Sequence, residues 1–156
     1  VFGSSTGTCE NIANTIAEKL GVEAINVTDF SADTIANHDN LILGTSTWGA
    51  GELQDDWYDG VNVLKDADLS GKTVAIFGCG DSESYSDTFC AAMKEIYDAA
   101  EGANIIGSIS TDGYTFDDSD AVVDGKFIGL PLDDVNEDDK TEGRIDAWLD
   151  SIKGSL

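Results

Sequence analysis

The chain has 156 residues, enough for a single domain spanning residues 1–156 with a core of its own. Acidic residues outnumber basic ones 31 to 8, and the formal charge of −23 is spread along the whole length. This balance argues against nucleic acid and anionic membrane surfaces as partners, because few cations are present to replace their counterions. No apolar stretch is long enough to span a bilayer, so we expect no membrane insertion.

The cysteines are three in number, Cys9, Cys79 and Cys90, and they lack the CxxC spacing. An odd set without that spacing favours a reducing compartment over a disulfide framework. We therefore expect a cytoplasmic protein, or one of the chloroplast stroma if the source is an alga. His38 is the single histidine, so a metal site built from nitrogen and sulfur ligands is not expected.

Apolar runs of strand length alternate with segments of helical period, which predicts β/α units around a parallel sheet with helices on both faces. In chain order, strands are predicted at 1–2, 24–27, 41–44 and 73–78, and helices at 9–20, 53–64, 86–100 and 141–152. The first strand is short for a central one, so we expect a few residues to precede Val1.

The last predicted strand breaks this alternation. Two apolar runs, 104–107 and 127–130, are separated by the polar segment 112–124. We interpret the two runs as one edge strand that is interrupted by an insertion loop. A loop of this length is typical of a functional or peripheral segment.

The turn Ser4-Ser5-Thr6-Gly7-Thr8-Cys9 joins the first strand to the first helix. Small hydroxyl-bearing residues before a helix present backbone N–H groups and the positive end of the helix dipole, which predicts an anion site. The turn lacks the lysine of the phosphate loop in nucleotide hydrolases, so a single terminal phosphate is the better match. A plain turn with an N-cap is the simpler alternative.

Two further loops follow predicted strands, at 45–52 and 79–85. Ligands of open parallel sheets bind beyond the carboxyl ends of the strands, where these loops and the first turn meet. Each loop carries one aromatic residue among small ones, Trp48 or Tyr85, which suits a flat ligand held between rings. Alternatively, each ring anchors its own loop onto the sheet. The three loops together predict a ligand with a phosphate at one end and a planar ring at the other.

These motifs resemble those of the flavodoxins, small FMN-containing electron carriers, over essentially the whole chain. The family's phosphate turn is similar to 4–9, its Thr-Trp-Gly loop to Thr47-Trp48-Gly49, and its Phe-Gly-x-Gly-Asp loop to 77–81 with Tyr85. The insertion between Ile109 and Phe127 resembles that of the long-chain subgroup.

The resemblance implies a three-layer α/β/α sandwich with five parallel strands in the order 2-1-3-4-5 and non-covalently bound FMN. It implies that Trp48 covers the inner face of the isoalloxazine ring and Tyr85 the outer face. The implied FMN-binding residues come from the three loops: Ser4, Ser5, Thr6, Gly7, Thr8, Cys9, Ser46, Thr47, Trp48, Gly49, Ala50, Gly51, Cys79, Gly80, Asp81 and Tyr85. Cys9 departs from the family's usual threonine, and its thiol is a weaker donor to phosphate.

No histidine can be assigned to activate Cys79 or the serines of 82–84, so we expect a carrier and not an enzyme. Acidic residues in and beside the loops, such as Asp81 and Glu83, make further negative charge on the flavin costly. The expected function is one-electron transfer at low potential, between the semiquinone and hydroquinone states of FMN. The expected partners are basic-faced redox proteins, such as a ferredoxin/flavodoxin-NADP reductase and an electron acceptor complex, with a monomeric carrier.

Two other functions fit the same fold class. An FMN-dependent NAD(P)H:quinone or nitro-compound reductase is the main alternative, and it would turn over with NAD(P)H. A phospho-acceptor signalling module shares the strand order, but it needs an acidic cluster after the first strand and an Asp after the third. This chain has Gly3-Ser4-Ser5 and Thr45-Ser46 there, which disfavours that function.

Overall fold

A computed structural model describes residues 1–156. Its strands are β1 (Phe2–Gly3), β2 (Asn40–Trp48), β3 (Glu52–Leu53), β4 (Thr73–Cys79), β5 (Asn104–Ile106), β6 (Ile109–Ser110), β7 (Val122–Val123), β8 (Lys126–Phe127) and β9 (Leu130–Leu132). Its helices are α1 (Thr8–Leu20), α2 (Ala32–Ala36), α3 (Trp57–Asp66), α4 (Met93–Ala99) and α5 (Asp138–Ile152). None of these helices has the length and apolar character needed to cross a membrane.

The main sheet has the predicted parallel order. Across the sheet, Asn26 forms a parallel bridge with Phe2 at the outer side of β1. On its other side β1 pairs with β2, and β2 pairs with β4. Both β5 and β9 pair with β4 on its other side, β5 with its first half and β9 with its second half. When the five predicted strands are numbered along the chain, their order in the sheet is therefore 2-1-3-4-5. The division of the edge strand into two runs is confirmed.

The second predicted strand, 24–27, is reduced in the structure to the single bridge at Asn26. The side chain of Asn26 accepts a hydrogen bond from the Thr28 N–H at 3.0 Å and begins a 3₁₀ turn over Val27–Asp29. This local cap draws the chain away from the sheet edge. The expectation of a buried strand at this position was wrong, since Ala24 and Ile25 are only half-buried.

The insertion folds as a small antiparallel sheet in the order β6-β8-β7. Phe127, which we predicted to lie in the edge strand, belongs to this small sheet, and the edge strand resumes only at Leu130. The Phe127 ring is fully buried, with the rings of Phe89, Tyr114 and Phe116 at centroid distances of 6.2, 5.3 and 5.1 Å. This aromatic cluster gives the otherwise polar insertion a core.

Successive side chains of β4 enter opposite layers, as a strand buried on both faces requires. Val74 and Ile76 join the cluster formed with α3 and α4, whereas Ala75 and Phe77 join the cluster formed with α1 and α5. The three-layer sandwich is thereby confirmed. It also leaves the carboxyl ends of β1, β2 and β4 at one edge of the sheet, where the three predicted loops begin.

Two predicted helices begin later than expected. The segment 86–100 contains a 3₁₀ turn at Ser86–Thr88 before α4, because Cys90 has a positive φ of 52° that interrupts the helix. The segment 53–64 begins as β3, which pairs back onto β2, and becomes helical only at Trp57. The short helix α2 was not predicted. Ser31 and Thr34 form a capping box that stabilises its N-terminus.

Candidate functional site

The structure brings the three predicted loops to one edge of the sheet. Residues 4–7 follow β1 and lead into α1, residues 49–51 join β2 to β3, and residues 80–85 follow β4. Since β1, β2 and β4 are neighbouring parallel strands, their carboxyl ends lie side by side. The grouping of these loops is the arrangement expected of a ligand site in an open α/β sheet.

The first turn leaves several backbone donors free. Ser4 Oγ accepts a hydrogen bond from the Gly7 N–H at 3.1 Å, and Gly7 has a φ of 94°, which favours glycine. The first backbone bond of α1 runs from Asn11 N–H to Gly7 O at 3.0 Å. The N–H groups of Thr8, Cys9 and Glu10 therefore lie beyond the reach of that helical ladder. Ser5 and Thr6 are exposed beside them.

The second loop is the tip of a hairpin, in which Trp48 is paired with Glu52 across β2 and β3. Gly49 and Gly51 both have positive φ values, 51° and 91°, so this tight connection depends on glycine. Trp48 Nε1 donates to Ser46 Oγ at 3.0 Å, which orients the indole. The side chain nevertheless stays 39% exposed, unlike Trp57 at the start of α3, which is fully buried.

The third loop is organised by the carboxylate of Asp81. Its Oδ1 accepts hydrogen bonds from the N–H groups of Glu83 at 3.1 Å and Ser84 at 2.9 Å. The bond from Ser84 is the main reason that the pKa of Asp81 is lowered from its ordinary value. Tyr85 ends this turn with its N–H on Asp81 O at 2.9 Å, and its side chain is 51% exposed.

Gln54 joins the first two loops, a role that no pattern in the sequence predicts. The residue is only 2% exposed, and its Nε2 donates to Ser5 Oγ at 3.1 Å and to Asp56 Oδ2 at 2.9 Å. A buried glutamine must satisfy its amide, which explains why it reaches across to the turn. A separate contact links the end of β2 to the start of α4: Thr47 Oγ1 accepts a hydrogen bond from the N–H of Ala92, the residue before α4, at 3.4 Å.

The Cys9 side chain differs from the rest of the 4–9 turn in its burial. Cys9 is fully buried, and it packs with Cys79 in the core between the sheet, α1 and α5. The neighbouring Cys9 thiol, together with burial, raises the pKa of Cys79 well above its ordinary value. Both thiols are therefore buried in the core below the loops.

The loops carry negative charge without compensation. Glu52, Asp55, Asp56, Asp81 and Glu83 lie in or beside them, and no ion pair of the structure includes any of the five. No group of three or more potential ligand side chains is arranged to hold a metal ion. The site thus combines free amides and hydroxyls, two half-exposed aromatic rings and an acidic surround.

A cavity lies elsewhere, away from the three loops. It has a volume of about 620 Å³ and is lined mainly by apolar residues of α1, β2 and the 22–25 segment. None of the predicted site residues lines it.

Comparison with known proteins agrees with this geometry. The family model for flavodoxin matches residues 1–148. Flavodoxin 1 of Azotobacter vinelandii is 43% identical, covering 95% of this chain and 90% of the relative, and flavodoxin of Helicobacter pylori is 39% identical, covering 99% and 95%. The crystal structure of Fusobacterium nucleatum flavodoxin bound to flavin mononucleotide superposes with a TM-score of 0.93 at 31% identity, covering 99% of this chain and 95% of the other. The chain therefore belongs to the flavodoxin family.

Proposed function

We propose that this flavodoxin binds one FMN non-covalently at the three-loop edge and carries single electrons at low potential between redox proteins. The observation that carries the proposal is the pair of half-exposed rings, Trp48 and Tyr85, on the two loops that adjoin the 4–9 turn. Large aromatic side chains left in solvent at a sheet edge gain by covering a planar ligand.

The residues present fit FMN at its phosphate end. The free N–H groups of Thr8, Cys9 and Glu10 and the hydroxyls of Ser5 and Thr6 can hold a dianion at the positive end of a 13-residue helix. No lysine or arginine lies in this turn, so recognition there is by hydrogen bonds and the helix dipole. The Cys9 thiol has no part in it, but the main chain around it does.

The residues present also fit the ring of FMN. FMN supplies the redox chemistry when bound, because its isoalloxazine ring exchanges electrons one at a time. Trp48 and Tyr85 would cover the two ring faces and exclude water. Carboxylates such as Asp81 and Glu83 raise the free energy of any added negative charge nearby, which favours a low potential. Gly49 has a positive φ, and because it has no Cβ the backbone beside the ring can change conformation at low cost.

The charge of −23 supports redox partners with basic docking faces, of the kind found in a ferredoxin/flavodoxin-NADP reductase. An acidic carrier is attracted to such a face from a distance and can leave again without breaking a large apolar interface. Members of the flavodoxin family are electron-transfer proteins and not enzymes, which favours a carrier over the reductase alternative.

The test is reconstitution of purified apoprotein with FMN. We expect stoichiometric binding, loss of FMN fluorescence, and fast electron exchange with an external redox partner. No sustained NAD(P)H oxidation with a quinone or a nitro compound should accompany it. Turnover with these substrates by the protein alone would support the reductase instead. A failure to bind FMN while riboflavin binds would show that the 4–9 turn does not hold a phosphate.

A further inference from the structure

Asp133, which follows the edge strand β9, is a fully buried carboxylate without a cationic partner. Its Oδ2 accepts hydrogen bonds from the Ser82 hydroxyl and from the Ser82 N–H, the latter at 3.1 Å. Its Oδ1 accepts from the Asn136 N–H at 3.0 Å. A buried charge needs such donors to offset its lost hydration, and here Ser82, 51 residues away in sequence, provides two of them.

Asn136 extends the same network to the rest of the third loop. Its Nδ2 group lies 3.0 Å from Asp133 Oδ2 and donates to Asp81 Oδ1 at 2.8 Å. Asp81 in turn accepts from Glu83 and Ser84. The hydrogen bonds that connect residues 81–85 to a distant part of the chain all end on Asp133 or Asn136.

The Tyr85 ring has no aromatic partner within the chain and is half exposed, so its own packing does not fix its place. Its location follows from the backbone of residues 81–85. That backbone is held from within by Asp81 and from outside by the Asp133 network, and just beyond Tyr85 the Ser86 carbonyl accepts from the Asp117 and Asp118 N–H groups at 2.9 and 3.0 Å. The Asp133 carboxylate therefore affects the position of the Tyr85 ring only indirectly, through the backbone of residues 81–85.

We propose that Asp133 is a positioning residue for the flavin site: through Ser82 and Asn136 it holds the 81–85 loop so that Tyr85 can cover a bound ring. The proposal rests on the FMN binding proposed above. Asp133 itself does not need to touch the ligand. Neither this residue nor Asn136 stands out in the sequence, where the run 133–139 has the composition of an acidic surface loop.

Asp133→Asn is the sharpest variant, because it keeps the shape but replaces one acceptor oxygen by an amide donor. That donor would face either the Ser82 hydroxyl and N–H or the Asn136 amides, so half of the network is lost. Asp134→Asn is the matched control. It removes the same charge from the next residue, whose exposed carboxylate accepts only from Thr141 Oγ1, at 2.8 Å.

The first measurement is hydrogen exchange in the apoprotein, which does not depend on FMN. We expect the amides of Ser82, Glu83 and Ser84 to exchange about 10-fold faster or more in Asp133→Asn, and to keep wild-type rates in Asp134→Asn. Uniform acceleration that includes β4 and α4 would overturn the proposal, because Asp133 would then stabilise the fold as a whole. Unchanged exchange in the loop would overturn it as well.

The second measurement is FMN affinity in the wild type, Asp133→Asn, Tyr85→Ala and the double variant. We expect Asp133→Asn to weaken binding about 10-fold, and to have little further effect once Tyr85 is removed. An equal loss in both backgrounds would show that Asp133 does not act through Tyr85. If the wild type does not bind FMN at all, the proposed function fails, and the exchange measurement still decides the role of Asp133 in holding the loop.

Discussion

Gln54 Nε2 donates a hydrogen bond to Ser5 Oγ at 3.1 Å, which ties the hairpin that carries Trp48 to the turn at the start of α1. This contact spans 49 residues of sequence and is only partly open to solvent. It couples the end of the site that suits a phosphate to the end that suits a ring. Ligand binding at one loop should therefore be sensitive to the other.

Substituting Gln54 by Ala should weaken FMN binding by about 1 kcal/mol, because Ser5 and Asp56 each lose a partner. The coupling to Ser5 can be measured in a double-mutant cycle with Ser5→Ala, using FMN titration by fluorescence. We expect a coupling energy of about 0.5–1.5 kcal/mol. Strict additivity of the two losses would mean that the contact does not matter for binding.

Substituting Tyr85 by Ala should weaken FMN binding by about 1–3 kcal/mol, the range found for aromatic stacking on planar bases. The quenching of bound FMN should also decrease. Tyr58→Ala is a suitable control, since Tyr58 is 50% exposed but lies in α3, outside the three loops. Equal effects of the two substitutions would contradict a ring contact specific to Tyr85.

The three thiols should be unreactive in the native protein. Cys9 and Cys90 are fully buried and Cys79 is nearly so, and burial raises the pKa of Cys90 as well as contributing to that of Cys79. A thiol reagent at pH 8 should therefore modify them only on unfolding. Cys9→Ala should lower stability by roughly 1 kcal/mol and leave FMN affinity unchanged, as should Cys79→Ala. A loss of FMN affinity in Cys9→Ala but not in Cys79→Ala would show that the Cys9 thiol contributes to phosphate binding.

The stabilising effect of Asp133 should disappear in acid. Burial raises its pKa, but hydrogen bonds from Ser82 and Asn136 outweigh this, and the pKa is lowered from its ordinary value of 3.8. A carboxyl with a lowered pKa stabilises the fold above its unfolded-state pKa, and this contribution is lost as the pH falls through the folded-state value.

We therefore expect the difference in unfolding free energy between wild type and Asp133→Asn to stay constant from pH 7 to about pH 5, and to shrink below about pH 4. Urea titrations at fixed salt would measure it. The pKa of Asp81 is also lowered, so Asp81 titrates in the same range. The same series on Asp134→Asn corrects for the general loss of charge. A difference at pH 3 as large as the difference at pH 7 would contradict this assignment.

Salt should act in opposite directions on stability and on electron transfer. At about 0.1 M salt the screening length is roughly 10 Å, so repulsion within a chain of charge −23 is only partly damped. The thermal midpoint of the apoprotein should rise with added salt. The rate of electron transfer to a basic cytochrome should fall over the same range. A rate independent of salt would contradict electrostatic attraction between the partners.

The sequence by itself determined the layers and the site edge. The run at 73–78, apolar from Val74 onward, predicted the clearest strand in the chain, and Ile12 and Ile16 place one stripe of α1 in the core. The turn of small residues at 4–9 and the Trp48 and Tyr85 rings, each among small residues, identified the three loops. Small polar residues and isolated rings that follow a buried strand do not suit a core, so they indicate a binding site at the end of that strand. Such local patterns record which face of a segment is buried.

Only the tertiary structure decided where particular segments leave the main sheet and which polar groups meet. Asn26 caps a 3₁₀ turn and ends a strand that its apolar neighbours favoured, and Phe127 enters an aromatic cluster with residues of the insertion instead of the edge strand. Cys9 and Cys79 pack into the same buried cluster, and Asp133 accepts a hydrogen bond from Ser82 across 51 residues. These contacts depend on where the folded chain brings distant donors and acceptors together, and no periodicity in the sequence encodes that distance.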